Sequence, residues 1–134
     1  MPAPQLRIRV LGALEVEGHG ASSLGSRKQR TVLRALAANR GEPVSIDRLI
    51  DCLWPEQLPA RPADQLGVLV SRLRGSLGAD RVARSDAGYE LVDAWIDIVA
   101  LDELTEEAER RLADGQTAMA ATAATAGLAL VRGP

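Results

Sequence analysis

Arg72 and Arg74 stand on either edge of a slim arc within residues 62–78, PADQLGVLVSRLRGSLG. A guanidinium presents its donors as a planar fork, which grips a guanine edge or a pair of phosphate oxygens. Wound as a helix at about 100° per residue, the segment gathers Leu66, Leu69, Val70, Leu73 and Leu77 into one apolar stripe. Asp64, Gly67, Val68, Ser71 and Gly75 fall on the opposite arc, which is nearly free of bulk. Such a face suits a helix laid into the major groove of DNA. A plain amphipathic core helix with two solvated arginines fits the same pattern.

A second cationic group lies earlier. Residues 26–40 carry Arg27, Lys28, Arg30, Arg34 and Arg40 with no acid, a local charge of +5. Residues 61–84 hold five arginines against Asp64 and Asp80, a local +3, whereas residues 101–134 hold six acids against three arginines, a local −3. The net charge of −2 thus hides two basic patches and an acidic tail. Phosphate binding follows local rather than average charge, although solvated helix faces also collect charge this way. Catalysis has little to build on. His19 is the sole histidine, set between Gly18 and Gly20, and no metal-ligand spacing or phosphate-cradling loop is present. The acids Asp102, Glu103, Glu106, Glu107 and Glu109 read as a solvated helix face, and the lone Cys52 as a small core residue. The expectation is a non-enzyme with no cofactor and no metal.

The elements that must position these arginines are legible in outline. Leu6, Ile8 and Val10 alternate with Arg7 and Arg9, and Leu14 and Val16 with Glu15 and Glu17. These are two strands around a Gly12-Ala13 break, with arginines and glutamates sharing the outer face of an antiparallel sheet. Ala21–Leu24 reads as a weak third strand. Ser26 and Gln29 form a capping box that opens a helix running to Asn39. Ser45 caps a second helix with Ile46, Leu49, Ile50, Leu53 and Trp54 on one face, ended by Pro55. Residues 55–62 form a loop with three prolines before the third helix, which Gly78 stops. Residues 81–84 and 89–92 flank a turn at 85–88 and read as a β-hairpin. Strands, three helices and a hairpin describe an α+β winged helix-turn-helix ending near residue 97. Beyond it, Leu101, Leu104, Ala108 and Leu112 mark one helix. Met119, Ala123, Ala126 and Leu130 mark one side of an Ala-rich second, and small side chains let the two pack closely, as in helical-hairpin repeat proteins. One such pair cannot bury its own apolar face, so the front piece of a longer protein is expected.

Composition agrees with a globular chain. Of 134 residues 46% are apolar and 25% charged, and aromatics are confined to Trp54, Tyr89 and Trp95. No secretory signal marks residues 1–9, and no apolar run approaches the ~18 residues that span a membrane, so a cytoplasmic chain without membrane contact is expected.

The blocks LGSRKQRTVLRALAANRGEPVSIDRLIDCLWP, VSRLRGSLG, GYELVDAWIDIVALDEL and the closing LALVRGP together resemble the Streptomyces antibiotic regulatory proteins. These bacterial activators carry an OmpR-type winged helix followed by a bacterial transcriptional activation domain of tetratricopeptide-like helices. The resemblance spans residues 6–134 and implies a DNA-binding domain at 1–97 and the first activation-domain helices at 98–134. It implies that Gln65, Val68, Ser71, Arg72 and Arg74 lie at recognition positions, with Arg72 on a guanine edge, Arg74 on phosphate and Val68 at a thymine methyl. Trp54 would abut the backbone, and Arg27, Lys28 and Arg30 would add phosphate contacts. Arg84 or Ser85 would stand at the wing tip over the minor groove, with Tyr89 at its base. Loop 55–62 occupies the place where such activators meet RNA polymerase. The partner implied is double-stranded DNA, as direct repeats bound by protomers side by side, with a monomer when free and a dimer on DNA. Gly67 stands where relatives often have Gln, and Ser85 where they usually carry Arg. These departures and the negative net charge favour the competing reading, a protein-interaction module whose winged helix has lost sequence-specific binding.

Overall fold

The computed structural model describes residues 5–133; residues 1–4 and 134, the outer limits of the two expected units, lie outside the described residues. Strand β1 (Leu6–Arg9) pairs antiparallel with β2 (Glu15–Val16), placing Arg9 opposite Glu15. Cross-strand attraction appears as expected on the outer face, where Arg7 Nε lies 2.9 Å from a Glu17 carboxylate oxygen. Leu6, Ile8 and Val16 turn inward and are buried.

Three helices form the body. Ser26 Oγ accepts from the backbone N–H of Gln29 at 3.2 Å and starts α1 (Arg27–Ala38). Ser45 Oγ accepts from the N–H of Arg48 at 3.1 Å and starts α2 (Ile46–Leu53). Helix α3 (Pro62–Leu77) opens on proline, whose missing N–H costs nothing in a first turn. Its buried residues are Leu66, Leu69, Val70, Leu73 and Leu77, the stripe expected from the period. These pack with Val32, Leu33 and Leu36 of α1 and Leu49 and Leu53 of α2. Burying each such aliphatic side chain contributes roughly 1.5–3 kcal/mol.

The wing follows: β3 (Val82–Ser85) and β4 (Gly88–Leu91) form a two-stranded antiparallel hairpin around Asp86 and Ala87. Its turn end is tied to the body, because the backbones of Val44 and Tyr89 exchange two hydrogen bonds of 2.8 and 3.0 Å. Strand β5 (Ala94–Ile96) then returns beside β1 in parallel, so the N-terminal sheet runs β2-β1-β5 and is mixed rather than purely antiparallel.

Asp97, the first residue of α4 (Asp97–Ala113), is 1% exposed, and its carboxylate accepts from the N–H groups of Val10 and Leu11 at 3.0 Å. Those two donors lie past the end of β1 and would otherwise be orphaned in the interior. Helix α5 (Thr117–Leu130) packs along α4, and the chain beyond it comes back to the sheet. There the Arg132 N–H donates to the Leu11 carbonyl at 3.0 Å and its guanidinium to Ala13 O at 2.7 Å. The same guanidinium lies 2.9 Å from Glu15. Arg40, in the left-handed region at φ 61°, donates to Asp102 of α4; this hydrogen bond holds the Asp102 carboxyl below the usual carboxylate range.

Four expectations are corrected. Ala21–Leu24 forms a single 3-10 turn, not a strand. The Gln29 side chain folds back against Gly25 without accepting a hydrogen bond from the Ser26 N–H, so the capping box stays half made; it is buried, and its amide donates to Ser76 Oγ of α3 at 3.5 Å. Cys52 is exposed, because Leu49 and Leu53 turn toward the core and carry it to the far side of a short helix. The inner stripe of α5 is Ala120, Ala123 and Gly127, leaving Met119 exposed. Gly127 sits close enough to Leu101 that a Cβ would lie 3.2 Å from its side chain, so close helix approach selects this face rather than side-chain size. Among the described residues no helix is long and apolar enough to cross a membrane.

Candidate nucleic-acid interface

With its leucines buried, α3 turns Gln65, Val68, Ser71 and Arg72 outward, all exposed. Arg72 has no hydrogen-bond or ion-pair partner among the described residues, so its whole guanidinium fork is free. Gly67 and Gly75 lie on the same helix with open space where a Cβ would project. Gly67→Ala and Gly75→Ala should each raise stability by about 0.5–1 kcal/mol through helix propensity, read as a higher melting temperature.

The fold brings six of the anticipated positions together. Arg27 and Lys28 from the start of α1, Trp54 from the end of α2, and Gln65, Val68 and Arg72 from α3 line one open cleft of about 420 Å³. Lys28 is already engaged: its ammonium donates to the Leu53 carbonyl at 3.0 Å and lies 5.3 Å from the centroid of the Trp54 ring. It therefore completes the C-terminal end of α2 and fixes the indole beside α3. Arg27 is exposed with its guanidinium unpartnered among the described residues.

The remaining positions go elsewhere. Arg74 is half-buried, and its Nε donates to the Val82 carbonyl at 3.0 Å, so it fastens α3 to the wing. Arg30 faces a second cleft, which meets the first at Arg27. Arg84 and Ser85 stand exposed at the hairpin tip, with the Arg84 guanidinium 5.6 Å from the centroid of the Tyr89 ring. Tyr89 is 4% exposed, so it supports Arg84 from below. Asp97, Arg132 and the Lys28–Trp54 contact were not legible as positioning groups, since their partners are backbone carbonyls, backbone N–H groups or distant rings.

Three helices closed by a strapped hairpin, with an unoccupied arginine on the outer face of the third, define a winged-helix domain. Residues 20–89 match the family described as transcriptional regulatory protein, C terminal. The regulatory protein AfsR of Streptomyces griseus is 32% identical over 90% of this chain, and the regulatory protein DnrI of Streptomyces peucetius 30% identical over 96% of it. A structure of Mycobacterium tuberculosis EmbR in complex with a low-affinity phosphopeptide superposes with a TM-score of 0.85 at 31% identity, covering 97% of this chain. The chain belongs to the OmpR-type winged-helix regulators of that family, in the group of Streptomyces antibiotic regulatory proteins. It spans 13% of AfsR, 52% of DnrI and 37% of the EmbR chain.

Proposed function

We propose that this chain binds double-stranded DNA sequence-specifically as part of a transcriptional activator, with α3 in the major groove. The observation that carries this reading is the free guanidinium of Arg72 on an exposed helical face, bordered by Arg27, Lys28 and Trp54 across one cleft. Arg72 reads a guanine edge, Val68 meets a thymine methyl, and Gln65 and Ser71 are within the same helical face. Arg27 faces phosphate. The wing, through Arg84 and Ser85, reaches the neighbouring minor groove. Residues 1–97 form the DNA-binding unit, and residues 98–134 begin a tetratricopeptide-like activation domain.

Activation runs through loop 55–62, where Leu58 is 58% exposed and available to RNA polymerase. Protomers are single in solution and pair side by side on direct repeats. Mobility shifts against upstream DNA of the neighbouring genes, repeated across a salt series, test the reading. Salt-sensitive binding to one of those segments supports it, and binding to none of them defeats it. In the same assay Arg27→Ala should weaken all sequences alike and reduce the magnitude of the log–log salt slope by about 1.

A further inference from the structure

Beside the α3 cleft, α1 carries two further arginines, Arg30 and Arg34, that the α3 surface does not use. Arg27, Arg30, Thr31 and Arg34 follow one another at helical spacing along the rim of a cleft whose apolar side is the half-buried Leu14, backed by the buried Leu24. The cleft holds about 370 Å³ and contains no acidic lining residue. Three cations spread over about 10 Å of helix face it. Arg34 is anchored, with its two terminal nitrogens donating to Val10 O at 3.4 Å and Gly12 O at 3.2 Å. A guanidinium has five N–H donors, so anchoring leaves three for a ligand in a preset orientation. Arg30 and Arg27 have no hydrogen-bond or ion-pair partner among the described residues. Glu15, the acid next to Leu14, is held by Arg132 at 2.9 Å and does not neutralise them.

We propose that this cleft docks an acidic segment of a partner protein, one that sets carboxylates against Arg30 and Arg34 and an apolar side chain against Leu14 and Leu24. Charge complementarity identifies the acidic partner, and the apolar wall separates a peptide from a nucleic-acid backbone. Phosphate offers nothing to fill a leucine-lined recess, whereas an acidic peptide with one aliphatic side chain satisfies both halves. The site meets the α3 cleft at Arg27, whereas Arg30, Thr31 and Arg34 line only the second cleft, so a chain bound to DNA through α3 still presents them.

The probe is a short fluorescein-labelled peptide of glutamates and aspartates around one leucine, titrated against the full chain at about 0.15 M salt. A second peptide carries serine in place of leucine. Saturable binding of the first is expected. Arg34→Gln and, separately, Thr31→Glu should each weaken it about tenfold. Thr31→Glu should hold the wild-type melting temperature, Arg34→Gln should lower it slightly through loss of its hydrogen bonds to Val10 and Gly12, and both should keep affinity for duplex DNA within about twofold. Adding duplex DNA should leave the peptide bound, and this readout stands even if α3 binds no DNA. Equal binding of the serine peptide, no binding of the first, or a parallel loss of duplex affinity in Thr31→Glu would each overturn the proposal. The last result would place phosphate, not peptide, against these arginines.

Discussion

Arg72→Ala is expected to weaken binding to a specific duplex by about 1–3 kcal/mol and to flatten discrimination at one base pair. The loss is confined to one position because the guanidinium is free of the protein, so truncation removes a ligand contact and breaks no internal bond. A duplex selected from a random pool, and versions of it changed one base pair at a time, supply the measurement. Wild-type protein should reject a substitution at the guanine that Arg72 reads; the alanine variant should tolerate it. Arg72→Lys keeps the charge but loses the fork, and should behave nearer to alanine than to wild type in discrimination. Its salt slope should stay close to wild type, since a cation remains. Undiminished affinity and discrimination in Arg72→Ala would remove α3 from the groove.

Gly88→Ala is expected to destabilise the chain by about 3–5 kcal/mol, the sum of a left-handed backbone forced on alanine and a steric overlap with main chain. Gly88 has φ +126°, and a Cβ there would lie 1.9 Å from the Val44 carbonyl oxygen. Neither atom can yield alone, because Val44 and Tyr89 are bound to each other through two backbone hydrogen bonds. Relief requires the hairpin to lift from the link between α1 and α2. Chemical denaturation should show the loss as a lower midpoint, and near-ultraviolet circular dichroism should report the changed surroundings of Tyr89. If the midpoint is unmoved, the wing is not seated as described.

The outward face of α3 could be read in advance for a simple reason. Five aliphatic residues at helical spacing in residues 62–78 leave α3 one way to face the core, and Arg72 is then forced outward. Ser26 and Ser45 announce their helices because each cap acts within three residues. What escaped notice depends on partners far along the chain. Ala94–Ile96 is too short for alternation to reveal, and its pairing with β1 is a long-range choice. Arg74 looks like Arg72 on a wheel, yet the Val82 carbonyl eight residues later accepts a hydrogen bond from its Nε. Lys28 stood in a basic block, but the open carbonyl at Leu53 takes it. In α5 the alanines surround the helix, so period carries no orientation, and a glycine's room against Leu101 decides instead.

The carboxylate of Asp97 and the guanidinium of Arg132 grip the same short stretch, Val10 to Ala13, from opposite ends of the helical pair. A splice made at residue 97 to graft foreign helices onto this winged helix would cut between one clasp and the other. A working chimera must therefore bring an acid for the two amides and an arginine for the Ala13 carbonyl, or inherit both from here.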